Sequence, residues 1–282
     1  MSGLGIGQRV AAFTRAGGLA EVALAQAQLV VPLPDEVPFV VAAAAPLMLS
    51  TALLLLTDVT HFWAGETVLM HSASGGIASA VAQLITALGG GLRIGTVGRA
   101  DKVSDARRGG WETTLLRDDH LIEAVRAAAG GAVDVILDPS GTTLLELDLL
   151  VAAPGGRIAL FGNPSGNLPS PLPPLGRLIC GNVSLAGFSM SRLSATAPGR
   201  AADALRRIVR LLAVGELNIP ITEIGSLEEV CAVHQLLSDG RGSGKYVASV
   251  RRTLTWDQGS EMARHDLIAQ YFSEGIGHRG GH

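Results

Sequence analysis

From Thr67 to His71 the chain is a short apolar run, and it ends in Ser72-Ala73-Ser74-Gly75-Gly76. That order reads as a strand running into a tight turn. Ile77, Val81, Leu84 and Leu88 then recur at helical spacing until Gly89-Gly90-Gly91 stops the pattern, and a second strand is expected over Leu92 to Val97. The alternation returns downstream. Val133 to Leu137 is bounded by Asp138-Pro139, Arg157 to Phe161 by Gly162, and Val183 to Ala186 supplies a further apolar run. Strands separated by helical stretches predict an α/β fold built on a doubly wound parallel sheet.

The flanks differ. Leu205, Ile208, Val209 and Leu212 mark an amphipathic helix, Ser226-Leu227-Glu228-Glu229 reads as a capping box opening another, and Lys245 to Val250 suggests a closing strand. Ahead of the sheet, Gln8 to Phe13 and Leu19 to Ala25 read as short strands joined by a Gly17-Gly18 turn, part of a second, β-type domain. Beyond Arg251, Ser260 is a candidate N-cap and Leu267, Ile268, Tyr271 and Phe272 form a narrow apolar stripe. This is either a docking helix or a surface or loosely ordered tail. Leu168 to Leu175 is a Pro-rich loop.

Bulk composition narrows the function. Of 282 residues, 48% are hydrophobic, enough for a sizeable core. With 22 Lys plus Arg against 25 Asp plus Glu, the net charge is −3, too little positive field to hold nucleic acid. Cys180 and Cys231 stand alone, without CxxC or HExxH spacing, so no metal site is expected and a reduced, cytoplasmic protein is the simple reading. His278 and His282 are weak evidence for a metal. The start of the chain lacks the pattern of a secretory signal. Phe39 to Leu56 carries no charge, but Pro46, Ser50 and Thr51 interrupt it, which favours a buried linker and core helix over a membrane span.

The chemistry centres on the turn after the first strand. Backbone amides at a helix N-terminus attract a pyrophosphate, and side chains there would obstruct its approach. Ser74, Gly75, Gly76 and Ile77 meet that need, with Ala78 small enough for close helix packing. At the end of the next strand an acidic residue would favour NAD; the sequence offers Gly98, Arg99 and Lys102, cations suited to the 2′-phosphate of NADPH. Asp101 lies between them and could pair with either. His71 adjoins the turn, yet its place in a strand end favours a satisfied structural histidine.

These residues resemble the zinc-independent quinone oxidoreductases of the medium-chain dehydrogenase/reductase superfamily, over roughly residues 5 to 250. Val68 to Ala78 is similar to the family's VLVHGAAGGVG, with Ser72 and Ala78 in place of glycines; Asp138-Pro139-Ser140-Gly141 and Gly244-Lys245-Tyr246-Val247 match later strand ends. The resemblance implies a Rossmann-type nucleotide-binding domain over 46–213, a partial GroES-like β domain over 1–45, a return segment over 214–250 and a tail over 251–282. It further implies Thr51 near the cofactor, Phe161, Gly162 and Asn163 in the turn beside the nicotinamide, and a homodimer. Leu116 stands where some members place an aromatic, and Leu49-Ser50-Thr51-Ala52 departs from GLTAYY. Gly7-Gln8-Arg9-Val10 corresponds to GDRV, which in the family follows roughly 75 residues of catalytic domain, so the chain reads as N-terminally truncated.

The function implied is NADPH-dependent reduction of an activated C=C bond or a quinone, in a biosynthetic pathway. The alternatives are a lyase, cyclase or accessory protein that keeps the fold after loss of the N-terminal segment, or a chain whose missing wall is supplied in trans or across a dimer. No catalytic residue is assigned: backbone donors, Thr51, Asn163, a cofactor hydroxyl or water could each meet the developing oxyanion.

Overall fold

Val10–Ala12 (β1) pairs antiparallel with Val30–Pro32 (β2), and not with the Leu19 to Ala25 stretch that the sequence suggested. Burial explains the choice. Leu19, Val22 and Leu24 stay exposed, whereas Leu29, Val31 and Leu33 around β2 are buried in the main core. The computed structural model describes residues 4–14, 16–163 and 171–250. The tail from Arg251 and the first part of the Pro-rich loop lie outside them.

Phe39–Ala42 (α1) opens an almost unbroken helical run that continues through a π-helical turn at Ala45–Leu49, Ser50–Leu54 (α2) and a second π turn at Leu55–Val59. The uncharged stretch noted in the sequence is therefore a buried core helix: Met48, Leu49, Ala52, Leu53, Leu55 and Leu56 join the main core. Among the described residues no helix is long and apolar enough to cross a membrane.

The sheet follows. Its strands are Thr67–His71 (β3), Leu92–Val97 (β4), Thr113–Leu116 (β5), Val133–Asp138 (β6), Ala152–Leu160 (β7) and Ser184–Gly187 (β8). Gly76–Ala87 (α3), Val103–Arg108 (α4), Leu121–Ala129 (α5), Leu145–Val151 (α6) and Leu175–Gly181 (α7) connect them. Every pairing is parallel and the order is β5-β4-β3-β6-β7-β8, so strand order reverses between β3 and β6. Side chains alternate across it: Val68 and Met70 enter one core and Leu69 the other, as the period-two geometry of a strand buried on both faces requires.

Met190–Thr196 (α8) and Pro198–Ala213 (α9) come next; α9 places Leu205, Ile208, Val209 and Leu212 in the main core, at the positions read from the sequence. Ile221–Ile224 (β9) pairs with Lys245–Ala248 (β10), with Val230–Ser238 (α10) between them. The expected capping box does not form. Glu228 bonds to Ser226 instead, and the helix begins at Val230 with no side-chain cap.

Candidate functional site

At the point of strand reversal β3 ends in His71, and the chain turns through Ser72, whose φ of 58° lies in the left-handed region that favours glycine. Gly75 donates to the Ser72 carbonyl at 3.0 Å, closing the turn, and Gly75 caps α3 without a side chain. The amide of Ser79 is the first to find a partner, the Gly75 carbonyl at 3.0 Å. The amides of Ile77 and Ala78 have no acceptor among the described residues. They lie at the positive end of a 12-residue helix, where partial charge favours an anion.

A second segment borders the turn. Gly244 donates to the Ser74 carbonyl at 3.2 Å and forms a parallel bridge with Gly75. A Cβ on Gly76 would sit 2.8 Å from the Gly244 oxygen and 2.7 Å from Met48 Sδ. Gly76 is thus required for the approach of protein atoms, a reason for glycine that the sequence reading had attributed to a ligand.

Below the turn lies a buried polar cluster. His71, Thr96, Asp138 and Asp148 are all wholly buried. One ring nitrogen of His71, Nδ1, lies 2.7 Å from Thr96 Oγ1 and the other, Nε2, 2.8 Å from Asp148 Oδ1, so both are satisfied, as expected of a structural histidine. Burial pushes the Asp148 carboxyl up to about 6, against the opposing pull of His71. Asp138 Oδ1 accepts from the Ser140 amide at 2.7 Å.

The carboxyl end of β4 carries the residues expected to read the adenosine ribose. Arg99 is exposed and donates twice to Asp101, at 2.9 and 2.8 Å; this bond holds the Asp101 carboxyl below its usual range. Lys102 is buried and donates to the carbonyls of Arg241 and Gly242, at 2.7 and 2.9 Å, with Asp105 at 3.4 Å. Both cations therefore have protein partners. Gly98 packs against Arg117: a Cβ there would lie 2.6 Å from Arg117 Nη2. Sequence reading missed Arg117, and only its place immediately after Thr113–Leu116, a strand too short and half-polar to recognise, could have pointed to it.

Thr51, in α2, is buried and its Oγ1 has no hydrogen-bond partner. Phe161 donates its amide to the Asp138 carbonyl at 3.0 Å, while a Cβ on Gly162 would come within 2.6 Å of the Pro139 carbonyl. Asn163 lies beside Gly141. The ends of β6 and β7 are thereby drawn together next to the turn. Among the described residues no group of three or more His, Cys, Asp or Glu is placed to hold a metal.

A parallel sheet whose strand order reverses beside a glycine turn and a helix N-terminus defines the class of nucleotide-binding α/β proteins. Residues 76–209 match the family model described as zinc-binding dehydrogenase. A quinone oxidoreductase from Pseudomonas aeruginosa is 30% identical over 86% of this chain and 74% of its own length. The spectinabilin polyketide synthase system protein of Streptomyces orinoci is 29% identical over 93% of this chain, which spans only 12% of that protein. The solved Escherichia coli quinone oxidoreductase, complexed with NADPH, superposes with a TM-score of 0.69 at 26% identity, covering 80% of this chain and 70% of that one. The chain belongs to the quinone oxidoreductases of the medium-chain dehydrogenase/reductase superfamily, a family of oxidoreductases that use a nicotinamide cofactor.

Proposed function

We propose that the chain binds NADPH along the carboxyl ends of β3, β4 and β7 and reduces an activated C=C bond or a quinone. The observation that carries this reading is the pair of unaccepted amides at Ile77 and Ala78, held at the N-terminus of α3 beside the strand reversal. The orphaned, buried Thr51 hydroxyl fits the same reading, since a buried donor without a partner is costly unless a ligand completes it. Two relatives support it from outside, one solved with NADPH and one from a polyketide synthase system, whose name places it in biosynthesis.

NADPH, when bound, supplies a hydride from its nicotinamide. The chain's part is to bind and orient. Ser74, Gly75 and Gly76 shape the turn without bulky side chains in the way, the open amides of Ile77 and Ala78 hold the pyrophosphate, and Gly98 leaves the ribose edge open where an acidic side chain would repel a 2′-phosphate. Phe161, Gly162 and Asn163 border the nicotinamide end, a position taken from the family resemblance. Thr51 and Asn163 are the side-chain donors offered to the substrate oxygen as it gains charge.

Mixing the protein with NADPH and a panel of enones and quinones tests the reading by loss of reduced-nicotinamide absorbance. Turnover of at least one class is expected. No oxidation across the panel, together with calorimetric silence toward both NADPH and NADH, would overturn it.

A further inference from the structure

Three cations gather where β4 and β5 end, and the structure separates them. Arg99 is neutralised in a bidentate pair with Asp101, and Lys102 is turned into a bolt on the 241–242 segment by its two carbonyl partners. Arg117 alone of the three donates no side-chain hydrogen bond to any described residue. Its backbone is fixed, with the amide donating to the Val97 carbonyl at 2.9 Å, which sets it level with the last residue of β4. Its guanidinium rests on the backbone of Gly98, within 2.6 to 3.5 Å of where a Cβ would stand. Gly98 has no left-handed φ, so glycine is needed here for space and not for conformation.

The surroundings explain why the fork stays open. Arg117 is half-buried, and the nearby Asp138 carboxylate attracts it without hydrogen bonding to it. Asp138 itself is wholly buried at the end of β6, and no described residue accepts a hydrogen bond from the Arg117 side chain. A planar, permanently charged fork with free donors matches the oxygens of a phosphate two at a time, which a lysine cannot do.

Resting on the nucleotide reading above, we propose that Arg117 is the residue that selects a 2′-phosphorylated dinucleotide, its guanidinium gripping the phosphate on the adenosine ribose over Gly98. Arg99 and Lys102, which the sequence singled out for this task, act instead on Asp101 and on the 241–242 segment. Leu116 contributes no polar group, so discrimination falls on the next residue along.

Calorimetric titration with adenosine 2′,5′-bisphosphate and with 5′-AMP isolates the contact from any catalysis. Wild type is expected to prefer the bisphosphate. Arg117→Met, which keeps the apolar stem, should lower that preference by about 10- to 100-fold, the worth of hydrogen bonds to a charged group. Gly98→Ala provides a second route that keeps the charge: its Cβ would displace the guanidinium, and a similar loss of preference is expected. Arg99→Ala should leave the preference intact. Preference retained in both Arg117→Met and Gly98→Ala, or lost in Arg99→Ala, would overturn the assignment while leaving nucleotide binding standing. Binding of neither nucleotide by wild type would overturn both.

Discussion

His71 Nε2 lies 2.8 Å from Asp148 Oδ1, joining the last residue of β3 to α6 in a wholly buried contact. The two residues come from opposite sides of the strand reversal, so the bond ties together the sheet halves that border the nucleotide turn. Asp148 Oδ2 and Asp138 Oδ2 each lack a hydrogen-bond donor, and the two carboxyl groups adjoin. Burial of two adjoining carboxyl groups favours a proton on the cluster and holds Asp148 above its usual range.

The first prediction concerns pH. Desolvation raises Asp148 from 3.8 to about 6 in the folded chain. The folded state then binds more protons than the unfolded state between those values, so this group's contribution to stability is greatest in acid and falls as pH rises through about 6. Asp148→Asn keeps an oxygen for His71 and removes the titration. Melting temperature of the variant minus that of wild type should increase with pH across this window. A flat difference would show that Asp148 does not carry the linkage.

Much of this architecture could be read from the chain. Strands β3, β4, β6, β7 and β8 and helix α3 announce themselves because apolar residues, periodicity and glycine punctuation agree locally. Thr113–Leu116 went unrecognised: four residues, none fully buried, give no period to detect. The partner of β1 was misjudged because Leu19 to Ala25 and Leu29 to Leu33 are both apolar, and only tertiary burial separates them. The same limit applies to the site. The glycine turn is a local signal, whereas the pairing of His71 with Asp148 and the packing of Arg117 on Gly98 join residues that meet only after the sheet forms.

Gly76→Ala tests the crossing of the return segment over the turn. The added methyl would meet Met48 Sδ, which can yield, and the Gly244 carbonyl, which is backbone in a bridge and cannot yield easily. Overpacking of this kind costs about 1–3 kcal/mol, more than the helix-propensity gain of alanine at a first helical position. Urea unfolding should show the loss, with greater proteolytic access around 241–244. Unchanged stability and unchanged cleavage would mean that the close approach is not maintained in solution.

Trp111 anchors the other side of α3. It is wholly buried, its Nε1 donates to the Ala78 carbonyl at 3.1 Å, and it packs on Gly95, where a Cβ would fall 3.1 Å from the Trp111 side chain. Trp111→Phe removes both the bond and part of the volume, for an expected destabilisation of about 1–3 kcal/mol by denaturant titration. Since Ala78 is one of the two residues with an open amide, nucleotide affinity should weaken as well. Full affinity in a destabilised variant would separate the packing role from the positioning of α3.

Thr51→Val separates stability from function. The Thr51 hydroxyl is buried with no partner, so the protein without ligand carries its desolvation cost uncompensated. Valine matches the shape and lacks that polar atom, and the variant should be as stable as wild type or more stable by about 1 kcal/mol. If the hydroxyl is held ready for cofactor or substrate, the same change should weaken NADPH binding or slow reduction even as the melting temperature rises. A hydroxyl that serves only the core would give the opposite pairing, a lower melting temperature with unaltered titration. Measuring both on one preparation distinguishes the two outcomes, because the sign of the stability change is fixed by whether the oxygen has a partner in the free protein.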